Sequence, residues 1–409
     1  MNKVFFISWL AIWIAIFFAH SKAFLWIGFS LLTLLFFINL IREPKVLLNL
    51  PKGALILNLI FLFFLLPFAF MPPTPVRTFE DFLKNYLFHI ILALFLALKL
   101  KDETGFYHSS LFYLPPALTC LAVSLHHLYS GIKLCLVSNH CSSTIFIADD
   151  ISLLKGFNTT LTSYVFVFFF FLGLYFVEKR KNLKVFFLFI SFFSLFMEIV
   201  LGRRAAILSI IFSGLLIGLL FKHKTVRVVG LSLSLGLTFL TGILLMTPSG
   251  GNLLIRYDKV HLLLQGKYAE AGSFGERIYM WQIYLKTALK DPFSGTGIGW
   301  KTQKQSLSQT NELALRHGNP HNLFLNIWLQ AGIHTLIIFP IFCFYNIFKT
   351  YKMWRFETKK PFLVFLSGYL IAFLIISFFF GTDEGTRFTP FWITSGLIWG
   401  LNEKNSLSS

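Results

Sequence analysis

The chain has 409 residues, 56% of them hydrophobic and only 13% charged, with a mean hydropathy of +0.70. A soluble globular domain carries roughly 25% charged residues, so the composition excludes a water-soluble fold and makes lipid the main solvent. The formal charge of +18 does not imply nucleic acid as a partner, because the lysines and arginines fall in separate short loops rather than in one basic patch.

Apolar runs close to the ~20 residues that cross a bilayer recur along the chain. They predict about twelve spans, near residues 4–20, 23–41, 53–71, 86–100, 109–128, 160–178, 185–202, 205–221, 228–246, 323–348, 362–380 and 388–402. The first run, Val4 to His20, has the length of a signal peptide, but Lys22 and a second apolar run follow it where a small-residue cleavage site would stand. It reads as a retained span.

Basic residues cluster in alternate loops: Arg42, Lys45 and Lys52; Lys99 and Lys101; Lys179, Arg180, Lys181 and Lys184; Lys222, Lys224 and Arg227; Lys349, Lys352, Arg355, Lys359 and Lys360. All fall on one side if the N-terminus is cytoplasmic, which is the positive-inside bias. Both termini are then cytoplasmic and residues 247–321 lie outside. The expected architecture is an all-α polytopic integral membrane protein. A bundle of about nine spans (1–246) and one of about three (322–409) flank a long outer loop (247–321) that contains amphipathic helices.

The phenylalanine runs Phe168–Phe171 and Phe378–Phe380 read as lipid-facing filler, and residues 72–85 and 129–159 as outer loops. Cys120 and Cys343 fall within spans as small apolar residues. Cys135 and Cys141 share an outer loop, which leaves a structural disulfide open. No His or Cys cluster has zinc-ligand spacing, so no metal is expected.

A loop of about 75 residues between spans has a purpose of its own. Within it Ser273-Phe274-Gly275-Glu276 has the capping-box form, predicting a helix from there to about Lys290, before Asp291-Pro292. Its apolar face is expected to be Ile278, Trp281, Leu285 and Ala288, with Arg277 sharing the face of Trp281, so that the helix lies on the membrane or against the bundle. Gly295-Thr296-Gly297-Ile298-Gly299 reads as a tight turn bringing backbone close to the bundle; no strand precedes it, as a nucleotide loop would need. Asn319 as N-cap and Pro320 as first helical residue would put His321 in the first turn of the returning helix.

Three positions stand out chemically. Arg203 and Arg204 follow a span on the side where the charge bias disfavours them, either as lipid anchors or as an anion site. Arg277, near a helix start, adds a cation to outward N–H groups that favour phosphate. A helix N-terminus disfavours imidazolium and would keep His321 neutral, as a general base for a hydroxyl requires. His317, His126, His127 and His140 are weaker candidates, and Asp383, Glu384 and Arg387 read as a solvated loop.

Arg277-x-x-x-Trp281, Asp291-Pro292-Phe293-x-Gly295-x-Gly297-Ile298-Gly299, His321-Asn322-x-x-Leu325 and Ala331-Gly332-Ile333 together resemble the shared region of the bacterial O-antigen ligase and polymerase superfamily. Gly202-Arg203-Arg204-Ala205 resembles its upstream S-R-[G/A] segment, with Arg203 where Ser or Thr is usual. The resemblance implies a GT-C-like, inverting, metal-independent glycosyltransferase without cofactor in the bacterial inner membrane, with its site facing the periplasm. Its partners would be an undecaprenyl-diphosphate-linked glycan donor, a lipid A–core acceptor and membrane lipids. His321 would be catalytic, Arg204 and Arg277 (with Arg203 as the alternative to Arg204) would hold the diphosphate, and Trp281 and Asn322 would support them. An O-antigen polymerase or a protein O-oligosaccharyltransferase would use related chemistry, and a lipid-linked glycan transporter would predict ionisable residues along several mid-span positions.

Overall fold

The structure, a computed structural model, describes residues 2–17, 22–44, 50, 52–72, 74–102, 109–138, 161–200, 204–221, 224–246, 262, 265–268, 272–307, 320–356, 361–379 and 388–402. Regular structure among these residues is helical throughout. The first group of helices is α1 (Asn2–Phe17), α2 (Lys22–Arg42), α3 (Lys52–Leu65), α4 (Pro75–Phe82), α5 (Phe88–Asp102), α6 (Ser110–Ser138), α7 (Leu161–Val177), α8 (Lys181–Val200), α9 (Arg204–Leu220) and α10 (Lys224–Met246). Then follow α11 (Gly272–Lys290), α12 (Trp300–Leu307), α13 (Leu323–Ala331), α14 (Ile333–Phe356), α15 (Pro361–Phe379) and α16 (Thr389–Asn402).

Among the described residues, eight helical stretches are long and apolar enough to cross a membrane, and three shorter apolar helices (Lys3–Phe17, Thr162–Val177 and Ala205–Leu220) accompany them. The chain is therefore a multi-spanning membrane protein. The helices α5, α7, α15 and α16 are buried along nearly their whole length, whereas α2, α3, α8, α9 and α10 keep an exposed apolar side. Close approach between the inner helices depends on small residues. A Cβ at Gly396 or Gly400 of α16 would lie 2.5 or 2.7 Å from the carbonyl oxygen of Ala93 or Ala97 of α5, a small-x-x-x-small seam on both partners. Toward the opposite end of α14 from Ile333, Asn346 accepts from Trp399 Nε1 (2.7 Å) and donates to Ser395 Oγ (3.1 Å), tying α14 to α16.

Four expectations change. Phe168 to Phe171 are buried (0%, 1%, 1% and 0% exposed), not lipid-facing, because α7 is enclosed by α8 and α15 and a helix that is apolar all round belongs inside. Residues 72–85 are largely helix: α4 runs through a π turn (Leu83–Leu87) into α5. The start of the 129–159 loop is also helix, since α6 continues to Ser138; Cys141 and His140 lie outside the described residues. Finally, the single span expected over 323–348 is broken at Gly332, whose φ of +84° belongs to the left-handed region that glycine adopts without strain.

Candidate active site

The helix expected from the capping box is α11, and it ends at Lys290 as the Asp291-Pro292 pair predicts. Its buried face differs from the expected one. Met280, Tyr284 and Ala288, spaced four apart, pack with Leu325, Trp328 and Leu329 of α13, while Trp281 and Ile333 border the cluster and Leu285 is 42% exposed. The aromatic ring of Tyr284 shifts the face toward position 284 and away from Leu285. Burial pushes the Tyr284 phenol up to about 12. Arg277 and Trp281, one turn apart on the flank of that face, are half-buried.

Trp281 reaches across to the histidine segment. Its indole Nε1 donates to the carbonyl oxygen of Pro320 (2.8 Å), and its ring meets the edge of Phe378 at the end of α15, with centroids 5.5 Å apart. The returning helix does not begin where the sequence suggests. Asn322, not Asn319, is the N-cap of α13: its Oδ1 accepts from the Leu325 N–H at 3.0 Å. Asn319 itself lies outside the described residues. His321 therefore sits just before the helix rather than in its first turn, with φ +51°, the one described non-glycine residue in the left-handed region. Such a conformation costs an L-residue about 1–2 kcal/mol and persists where neighbours fix the chain on both sides. Here the neighbours are Pro320, held by Trp281, and Asn322, held by its cap.

The other end of α13 is fixed by the glycine turn. Thr296 donates to the Leu329 carbonyl through both its N–H (2.7 Å) and its Oγ1 (3.0 Å), and the Gly297 N–H donates to the Gln330 carbonyl (3.2 Å). In return the Ile333 N–H and Trp328 Nε1 donate to the Pro292 carbonyl (2.8 and 3.0 Å). These bonds satisfy backbone groups that the break at Gly332 would otherwise orphan. Backbone approaches so closely that a Cβ at Gly295 would run into the Gln330 carbonyl oxygen. The expected tight turn is present, and its partner is the helix break.

Sequence reasoning had not singled out Thr296, Trp328, Gln330 or Tyr86, whose Oη donates to Gln330 Oε1 (3.1 Å). An Asn N-cap ten residues ahead of a glycine was the available signal for a short separate helix. Of the expected anion-binding residues, Arg277 lies one turn from Trp281. Arg204 opens α9, which packs on α15, the same helix that touches Trp281. The Arg204 side chain and all of Arg203 lie outside what is described, as do His317, His140, Asp383, Glu384 and Arg387. Among the described residues no group of three His, Cys, Asp or Glu side chains is arranged to hold a metal ion.

These features define a multi-spanning membrane protein whose candidate site lies at one end of its bundle, between a helix end, a half-helix and the loop that joins them. Residues 186–339, from within α8 to within α14, match the family described as O-antigen ligase, and this match supports a relationship of the segment to the O-antigen ligase and polymerase superfamily. Arg203, Arg204, Arg277, Trp281, His321 and Asn322 all fall inside it. The family is bacterial, and its enzymes are of glycosyltransferase type, acting on lipid-linked glycans. No curated protein matches the chain.

Proposed function

We propose that this protein is an O-antigen ligase, transferring a glycan from undecaprenyl diphosphate to a sugar hydroxyl of lipid A–core on the periplasmic face of the bacterial inner membrane. The observation that carries this reading is His321: a histidine in a left-handed conformation, clamped between Trp281 and the Asn322 cap, within the family segment. In the proposed reaction the acceptor hydroxyl gives its proton to His321 as its oxygen bonds to the anomeric carbon of the donor. The bond from that carbon to the diphosphate breaks with inversion, and no metal takes part. Arg277 and Arg204 stabilise the charge that gathers on the departing diphosphate, which is electrostatic catalysis by preplaced cations. Loop 247–321 acts with both bundles as a lid, so the site is shared and the loop alone is inert.

The test is His321→Ala, expressed to the normal level in the native host. Loss of glycan attachment to lipid A–core, with polymerised lipid-linked glycan accumulating, is the expected result. Persistent full-length lipopolysaccharide would remove His321 from the mechanism. Accumulation of single repeat units would identify a polymerase instead.

A further inference from the structure

The depth of α11 relative to the membrane is set by two contacts. Trp281 meets Phe378, the last residue of the span Pro361–Phe378, and the Pro292 carbonyl just after the helix bonds the N–H of Ile333, the first residue of the span Ile333–Lys352. That second span has 20 residues, about 30 Å of helix, which is the thickness of the hydrocarbon layer. Its first residue therefore stands at the boundary between acyl chains and headgroups, and α11 is held at the same level.

One side of α11 faces α13 through Tyr284 and Ala288. About 100° further round the helix, on an open flank, Leu285 and Leu289 are 42% and 57% exposed, and Phe293, three residues beyond the helix, is 71% exposed. Lys286 and Lys290, both exposed, follow the two leucines around the helix by about 100° each. We infer that α11 lies in the membrane interface, with Leu285, Leu289 and Phe293 in the upper acyl region and Lys286 and Lys290 on anionic phospholipid headgroups. The occupant of this face is the bilayer around the protein's own spans. An apolar flank beside a lysine flank matches the two layers of that boundary, and lysine stems reach from one to the other. Such seating keeps Arg277 and Trp281 at the height where lipid-linked substrates carry their headgroups. The inference does not depend on which transfer reaction the site performs.

The experiment places single cysteines at 276, 285, 289 or 293 in full-length protein whose four native cysteines are replaced. Each is labelled with a nitroxide in nanodiscs of phosphatidylethanolamine and phosphatidylglycerol. Collision rates with oxygen, which concentrates in lipid, are compared with those of a water-soluble nickel chelate. Positions 285, 289 and 293 should show an oxygen-to-nickel ratio several-fold above that of exposed Glu276. In the 289-labelled protein, Lys286→Gln with Lys290→Gln, or omission of phosphatidylglycerol, should lower the ratio. Ratios equal to that at 276 would put the face in water and overturn the inference. Low rates with both reagents would mean a protein covers it and would overturn it equally. His321→Ala should leave all four ratios unchanged, so this result is separable from the fate of the proposed reaction.

Discussion

Trp281 Nε1 and the Pro320 carbonyl oxygen, 39 residues apart in the chain, form a 2.8 Å hydrogen bond that ends one residue short of His321. The bond fixes the backbone entering a left-handed residue, and the same indole ring touches Phe378 on another helix. Trp281→Phe keeps a ring against Phe378 and removes only the donor. A net hydrogen bond of about 1 kcal/mol that acts through the placement of His321 should appear in kcat. Steady-state transfer should show kcat lowered about 5- to 10-fold, with KM for donor and acceptor unchanged. An equal rise in both KM values would show instead that Trp281 contributes to substrate binding.

Gly295 and Gly332 are the residues at which the turn and the broken helix meet backbone to backbone. A Cβ at Gly332 would lie 2.5 Å from the Phe293 carbonyl oxygen and would also occupy a left-handed φ. Gly295→Ala and Gly332→Ala should each lower thermal stability in detergent by about 1–3 kcal/mol. Gly236→Ala, where nothing lies within 4 Å of the added carbon, should be neutral or gain up to about 1 kcal/mol from helix propensity. Equal melting temperatures for all three variants would refute the contact geometry.

Tyr284 is 1% exposed, and its hydroxyl finds no hydrogen-bond partner among the described residues. The ring packs α11 on α13, while the buried hydroxyl costs desolvation. Tyr284→Phe should therefore match or exceed the native protein in thermal stability, with a gain of up to about 1–3 kcal/mol. Tyr284→Ala should lose about 3–5 kcal/mol from the cavity it leaves. A destabilised phenylalanine variant would reveal a partner for the hydroxyl.

Glu178 sits in the short link between α7 and α8. The Arg180 side chain and the backbone N–H groups of Lys179 and Arg180 all donate to its carboxylate, holding it down at about 2 against an ordinary 4.5. A depressed carboxyl contributes fully above its unfolded value and loses that contribution as pH falls toward its folded one. Glu178→Gln should lower the melting temperature at pH 7, and the gap should hold to about pH 5, then narrow between pH 4.5 and 2. A gap independent of pH over that range would mean that the carboxylate charge adds nothing; Arg180 is largely exposed, so a small gap is expected.

The membrane class, the helix ending at Lys290 and the tight glycine turn were legible because each rests on local chemistry: apolar run length, an Asp-Pro stop, and glycine spacing. What failed depended on neighbours that a linear reading does not supply. Phe168 to Phe171 look the same in sequence whether they face lipid or protein, since both are apolar, and only the packing of α8 and α15 around α7 decides. Asn319 and Asn322 are equally good caps by type. The choice of Asn322 goes with Trp281 securing the Pro320 carbonyl, a partner 39 residues away. The expected face of α11, Ile278, Trp281, Leu285 and Ala288, did not include Tyr284, whose ring is buried against Leu325 and Trp328 and moves the face by one position.

The polar ties of α14 have a mechanical consequence. Ile333 is bonded to Pro292 at one end, and Asn346, about 20 Å further along the axis, is gripped by Ser395 and Trp399. A helix pinned at two heights resists turning about its own axis, because a twist that relieves one clamp tears the other. It serves as a fixed post, and any gate that admits a lipid-borne substrate has to swing on other helices while the post keeps the level of the break at Gly332 constant.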